Sequence, residues 1–437
     1  MNSFKRALGT RSATLLVAGN MIGIGIFVTA GKIIQVIPNP ALVLGAWVLG
    51  GLLSIIGGLA YAELATRFPR AGGGYVFQKE AFGPMLGFLA GFSSSMITIP
   101  GTTAFLAMGF TRYIGVVDPL VSRMIGLSLI AGISWINYRG VTQGAVLQDG
   151  FMVLKWGLIV ALVGAGFGWG HGSWAHFESS LPLTRPLWVA LPLALVPIMY
   201  TYSGWDATVY IAQEITNPRR TIPRSMVLGA SLVMLTYILL TALYIFALPL
   251  SAPTRRIAAT AAGVLFTPVI GHVVGMLISI SVLGCLAATV LTGPRVFYAM
   301  AKDRLFPPWM ARIHPRFQTP GLAIVVHGLW ASLLMLTGTF DRLLDFITVP
   351  SVLFGAITVI GLFVVRHRHR HDEAADPFLM PGYPVLPAVF VAIMGFIVIA
   401  TVIHDPLNSA WGLVVLALGI PVYWIVKRIY GNDSPSL

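Results

Sequence analysis

The sequence predicts an all-α, polytopic membrane protein of about twelve transmembrane helices, and three observations predict it. Of its 437 residues 57% are hydrophobic and 10% charged, against roughly 25% charged in an average soluble domain. Apolar runs near or above the ~20 residues that cross a bilayer recur from end to end, which no soluble core of this length requires. Two of these runs, the first and the sixth, are interrupted in mid-span by Gly, or by Pro followed by Gly.

In chain order the expected spans are 11–36, 40–66, 80–113, 122–138, 146–168, 189–214, 224–248, 268–300, 321–338, 343–366, 385–404 and 408–428. The first lacks a convincing small-residue cleavage site and is too rich in Gly for a signal peptide, so it is expected to remain. Every connection is short for a folded module, which makes 1–437 a single membrane domain. Within it 11–168 and 189–366 form two halves, followed by an extra pair of helices in 385–428.

A formal charge of +13 invites a nucleic-acid reading, but its placement answers to topology. With the N-terminus inside, the cytoplasmic segments hold Lys5, Arg6, Arg11, Arg67, Arg70, Lys79, Arg139, Arg219, Arg220, Arg224, Arg295, Lys302, Arg304, Arg312, Arg316, Arg366, Arg368, Arg370, Lys427 and Arg428. The outer side receives only Lys32, Arg112, Arg123, Arg185, Arg255, Arg256 and Arg342. This bias places both termini in the cytoplasm, in a cell inner membrane, with lipid rather than nucleic acid as the surrounding partner. The only cysteine, Cys285, lies in the eighth span, which argues against a disulfide framework, a Cys-based metal site or a disulfide-linked ancillary subunit. No cofactor is expected, and the chain is expected to act as a monomer.

Two loops have character. The segment from Phe68 to Gly83, with Arg70-Ala-Gly-Gly-Gly-Tyr75, reads as interfacial or re-entrant. The Arg and His alternating from Arg366 to His371 read as an inner-leaflet anchor in preference to a metal tract, because alternate residues of a flexible loop do not converge on one ion.

Span one places Gly19, Gly23 and Gly25 at mid-depth, where each costs a helix about 1 kcal/mol relative to Ala. Backbone groups freed at that depth are tolerated only against protein or a water-filled cavity; close helix packing through small residues is the competing reading. Span six shifts the balance, because Pro192 and Pro197 precede Tyr200-Thr-Tyr-Ser-Gly-Trp-Asp206. The two breaks lie five helices apart. Halves with an odd number of helices enter the membrane in opposite orientations, so Gly23 and Ser203 occupy matching places in an inverted repeat, the strongest sequence pointer to a midplane site. Half-helix N-termini would present N–H groups to a carboxylate and C-termini carbonyls to an ammonium group. A zwitterionic amino acid carries both.

Further motifs stand in order along the chain: Gly23-Ile-Gly-Ile-Phe27, Tyr61-Ala-Glu-Leu64 with Phe68-Pro-Arg-Ala-Gly-Gly73, Tyr202-Ser-Gly-Trp-Asp206, Glu214-Ile-Thr-Asn-Pro-Arg-Arg-Thr-Ile-Pro223, and Pro377-Phe-Leu-Met-Pro-Gly-Tyr-Pro384. On these, nearly the whole chain resembles the amino acid-polyamine-organocation superfamily, especially its L-amino-acid transporter branch. The resemblance implies a leucine-transporter-like fold with a 5+5 inverted repeat, broken helices 1 and 6, two extra C-terminal helices, and alternating access around one site. It implies that Met21, Gly23, Ile24 and Gly25, with Ile26 beside them, approach the substrate carboxylate. The backbone of Tyr200 with Ser203 would approach the amine, and Thr201, Gly204 and Trp205 complete that break. Ile24 stands where the family usually has Ser, so backbone N–H groups must serve. Gly284-Cys-Leu-Ala-Ala288 lacks the Asn or Ser of many relatives, which implies an apolar wall and small or medium neutral substrates.

Lys155 lies deep in span five, where a lysine costs roughly 2.5 to 3.5 kcal/mol and is functional by default; snorkelling to a surface is the bland alternative. The resemblance makes it a fifth-helix lysine standing in for a sodium ion between helices one and eight, with carbonyls near Gly19 to Ile22 as partners. Sodium-independent transport or exchange of neutral L-amino acids is the implied function. A proton-coupled carrier of cationic amino acids or polyamines is the alternative within transport; an ion channel lacks its filter loop. An intramembrane enzyme needs converging nucleophile, base or metal ligands, which the sequence does not offer. Trp205 reads as a gate or a packed aromatic, and Asp206 as a cap or a polar partner in the break. Glu63 is expected to pair with Arg67 at i,i+4, and His272, His327 and His404 to be packed.

Overall fold

The computed structural model describes residues 8–69, 72–139, 141–210, 212, 215–252, 256–368, 377–404 and 406–430, with the side chains of 141–152, 341, 345 and 407–409 excepted. Among them the regular structure is helical, without a β-sheet. The helices are α1 (Thr10–Met21), α2 (Gly25–Val36), α3 (Pro40–Arg67), α4 (Gly74–Phe82), α5 (Pro84–Ser93), α6 (Ile99–Tyr113), α7 (Pro119–Arg139), α8 (Val141–Trp169) and α9 (Leu187–Thr201). There follow α10 (Ala207–Tyr210), α11 (Pro218–Ala247), α12 (Ile257–Leu265), α13 (Pro268–Lys302), α14 (Gly321–Thr337), α15 (Phe340–Arg368), α16 (Val385–His404) and α17 (Pro406–Tyr430).

Among the described residues, seven single helices, in α3, α7, α11, α13, α15, α16 and α17, are long and apolar enough to cross a bilayer, and α1 with α2, bent by 52°, passes as one more. The chain is therefore a multi-pass membrane protein. Helix starts follow local chemistry. Asn39 caps α3 by accepting the Leu42 N–H at 3.1 Å, and Thr267 caps α13 by accepting that of Ile270 at 3.3 Å, each just before a Pro at the first helical position.

The third span departs from expectation. Helix does not run on from residue 80: α4 closes at Gly83, whose φ of +95° suits glycine, and α5 begins afresh at Pro84. A π turn over Ser94–Thr98 then joins α5 to α6. Beyond the chain turn at 72–73, the loop expected to be interfacial is thus mostly helix α4, while Arg70 and Ala71 lie outside the described residues. Lys5, Arg6, Glu214, Arg255 and the stretch from His369 to His371 also lie outside them. Arg366, His367 and Arg368 of the Arg/His tract form the last turn of α15.

Glu63 does more than pair with Arg67. Its carboxylate is fully buried and takes Arg67 at 3.0 Å, two donors of Arg366 at 2.8 and 2.5 Å, and the Met380 N–H at 2.8 Å. A buried charge is tolerated only when so satisfied. This cluster fastens α3 to the end of α15 and to the link before α16. Elsewhere α11 packs along both α1 and α3, α13 along α6 and α8, and α2 along α9, which brings the two breaks together in the middle of the bundle.

Candidate functional site

The first break begins where α1 stops at Met21. Ile22 leaves helical geometry with ψ 85°, Gly23 N–H turns back to the Met21 carbonyl at 2.8 Å, and α2 restarts at Gly25 without a side-chain cap on its first N–H groups. The second begins where α9 stops at Thr201, and a run of turns through Asp206 leads into α10. The two cross closely. A Cβ on Gly25 would lie 2.8 Å from the Thr201 hydroxyl oxygen. Gly204, at φ +99°, would place one 3.0 Å from the carbonyl carbon and oxygen of Asn20. Only glycine fits at these two crossings.

Polar groups tie the crossing. Thr29 and Thr201 hydroxyls meet at 2.8 Å, and these side chains also bond to the Gly25 and Pro197 carbonyls at 2.9 and 2.7 Å. Tyr237 of α11, fully buried, places its O–H 2.8 Å from the Met21 carbonyl and 2.9 Å from that of Thr201. These carbonyls close the two half-helices, where the helix dipoles concentrate negative potential, so one hydroxyl proton serves both ends. The rings of Trp47 and Tyr202, at 5.2 and 5.0 Å, hold the Tyr237 ring in place.

A cavity of about 130 Å³ opens between the breaks. Met21, Gly23, Ile24 and Gly25 line it from the first break, and Tyr200, Thr201 and Ser203 from the second. Ile26, Gly204 and Trp205 do not line it. Ile26 is buried in the core, Gly204 abuts Asn20, and Trp205 packs edge-on to Tyr61 at 4.7 Å. The Tyr200 carbonyl already accepts the Ser203 N–H at 3.0 Å and is also approached by the Tyr202 N–H.

Lys155 is 4% exposed and does not snorkel. Its ammonium donates to the Ile22 carbonyl, in the first break, and lies 3.3 Å from the Cys285 Sγ on α13. No carboxylate pairs with it among the described residues. The lysine therefore links α8, the break and α13 through a backbone dipole.

The wall on α13 is less apolar than its Gly284–Ala288 stretch suggests. Gly284, Cys285 and Ala288 line the cavity, but so do Thr289 and Thr292, whose hydroxyls donate to the Cys285 and Ala288 carbonyls at 2.8 and 2.9 Å. Residues 285, 289 and 292 recur at helical spacing on one face, a signal the sequence did contain. Asn20, Thr102 and Leu106, the last two a turn apart on α6, also line the cavity and were not anticipated.

The two ends of the cavity differ. Beyond Tyr200, Phe105 packs at 5.0 Å and Phe340 on Phe105 at 4.2 Å, with the Arg112 guanidinium 4.6 Å over Phe340. Tyr113 donates to the Phe27 carbonyl on the same side. Toward the face from which α1 enters, Asn20 and Thr292 are exposed.

Comparison with known proteins gives the family. The family model described as amino acid permease matches residues 8–426. The chain is 28% identical to the serine/threonine exchanger SteT of Bacillus subtilis over 98% of each chain. It is 26% identical to Asc-type amino acid transporter 1 of Homo sapiens, covering 99% of this chain and 84% of that one. It is also 26% identical to large neutral amino acids transporter small subunit 2 of Mus musculus, covering 99% and 83%.

Proposed function

We propose, since the chain belongs to the amino acid permease family, that this amino acid transporter is a sodium-independent exchanger of small or medium neutral L-amino acids, working by alternating access. It is a carrier and not an enzyme. One observation carries the reading: the Lys155 ammonium occupies the space between the first break and α13, at the Ile22 carbonyl, where a coupling cation would otherwise neutralise the helix end. In this reading the substrate carboxylate sits on the uncapped N-terminus of α2, held by backbone N–H groups because Ile24 has no hydroxyl. The amine faces the end of α9 at Tyr200 and Thr201. Thr102, Thr289 and Thr292 give the remaining wall enough polarity for a side chain as small as that named for the serine/threonine exchanger.

The finer architecture follows the same reading. Twelve spans, α1/α2, α3, α5/α6, α7, α8, α9/α10, α11, α13, α14, α15, α16 and α17, form a 5+5 inverted repeat with a C-terminal pair, both termini on the cytoplasmic side of an inner membrane. The closed aromatic end at Phe340 then faces outward, and the cavity is open inward. In this reading the chain acts as a monomer, its lone Cys285 being half-buried beside Lys155 on the cavity wall and not offered for a disulfide to a second subunit.

Counterflow in liposomes tests it. Vesicles loaded with unlabelled serine or alanine and diluted into choline buffer should accumulate labelled substrate at the rate seen in sodium buffer. A strict sodium requirement, or efflux that proceeds without exchangeable substrate outside, would sink the exchanger reading.

A further inference from the structure

The rim at the C-terminal end of α13 carries an assembly that the transport site does not use. At the end of α7, Trp135 and Tyr138 stack with centroids 6.0 Å and planes 6° apart. The Tyr138 ring runs on into the α13–α14 connection, meeting His314 at 5.5 Å and Phe317 at 5.8 Å. Its carbonyl accepts the Thr319 hydroxyl at 2.8 Å, and Gly321 lies so close that a Cβ would come within 2.5 Å of the ring. Two segments remote in sequence are thus held as one surface. A guanidinium ends the ladder on each side: Arg139 lies 4.9 Å over Trp135 and Arg316 5.5 Å over Phe317.

Arg139, Arg312 and Arg316 are exposed, and none is paired with a carboxylate among the described residues. An arginine lying on an aromatic face keeps its in-plane donors free, and its planar fork matches a phosphate. Beside these cations Trp135 is 57% and Ile313 47% exposed, side chains suited to the headgroup and acyl boundary. A soluble phosphate would satisfy the arginines and leave the apolar pair in water. A zwitterionic headgroup brings its own cation against three others. Charge and apolarity together select one occupant.

We propose that the end of α7 and the α13–α14 connection form a binding surface for anionic phospholipid, with headgroup phosphates taken by Arg139 at one end of the ladder and by Arg316 at the other and acyl chains along Trp135 and Ile313. The test is native mass spectrometry of the purified full chain in neutral detergent, titrated with phosphatidylglycerol, phosphatidylcholine or glycerol phosphate. Wild type should retain phosphatidylglycerol selectively and ignore glycerol phosphate. Each arginine removed should weaken retention about fivefold, so Arg139→Gln with Arg316→Gln should weaken it about 25-fold. The pair Arg11→Gln with Arg224→Gln, which removes equal charge elsewhere, should leave it unchanged. Should the double variant lose its thermal transition in phosphatidylcholine, Arg316→Gln alone carries the comparison. Unchanged retention in the ladder variant, equal loss in the control pair, equal retention of phosphatidylcholine, or displacement by glycerol phosphate would each overturn the assignment.

Discussion

Two residues, Lys155 and Tyr237, hold the breaks by opposite routes to the same carbonyl-rich ends. Lysine supplies a charge to the Ile22 carbonyl, and hydrogen bonds to charged groups contribute about 1.5 to 3 kcal/mol. If that bond sets the geometry of the first break, Lys155→Ala should slow exchange in proteoliposomes by roughly ten- to a hundredfold, with no gain of sodium dependence expected from a shortened side chain that leaves no carboxylate behind. Tyr237→Phe keeps the ring against Trp47 and Tyr202 but takes the donor from the Thr201 carbonyl, whereas the Met21 carbonyl keeps the Gly23 N–H. Leaving buried polar groups unpaired costs about 1 to 3 kcal/mol, so the variant should unfold several degrees earlier in a detergent thermal-shift assay and exchange more slowly. Lys155 was legible in the sequence because charge in an apolar run is rare at any position. Tyr237 was not, since a tyrosine in an apolar helix gives no sign of which of its neighbours needs a donor.

At the scale of elements, the breaks were legible because Gly and Pro punctuate a helix locally, whereas the ties between elements were hidden by chain distance. Gly204 illustrates the first kind. Its φ of +99° and its contact with the Asn20 backbone predict that Gly204→Ala costs about 1 to 3 kcal/mol in strain and disrupts substrate binding. Gly395→Ala, with open space at its Cβ, should be neutral or stabilising in the same thermal assay. Glu63 illustrates the second. Its i,i+4 partner Arg67 could be read from spacing, but Arg366, 303 residues away, could not. Removing one partner of a buried ion pair costs about 3 to 5 kcal/mol, so Glu63→Ala should lower expression and thermal stability far more than Arg67→Ala, whose loss leaves Arg366 and the Met380 N–H in place. The interrupted third span, with α4 set apart by Gly83 and Pro84, shows the limit of hydropathy windows: apolar content continues across a point where backbone geometry does not.

For the whole molecule, the asymmetry of the cavity's ends makes a prediction about access. Phe105, Phe340 and Arg112 stack over Tyr200 at one end, while Asn20 and Thr292 are exposed at the other, toward the face where α1 enters. Apolar periodicity fixes where helices run, and the balance of Lys and Arg orients them, but neither tells which end of a central cavity is shut, because closure depends on side chains brought together from α6, α9 and α15. If the open face is the cytoplasmic one, single cysteines placed by Asn20→Cys or Thr292→Cys in a Cys285→Ala background should react with an impermeant thiol reagent in inside-out vesicles and resist it in right-side-out vesicles. Saturating substrate should slow both reactions, since a ligand bridging the breaks occupies the same path. Tyr200→Cys, behind the aromatic stack, should react with reagent supplied from the Phe340 side only when exchange is running. Labelling of Asn20→Cys from the outside at the inside rate would reverse the topology derived from charge, and with it the assignment of Phe340 to the outer end.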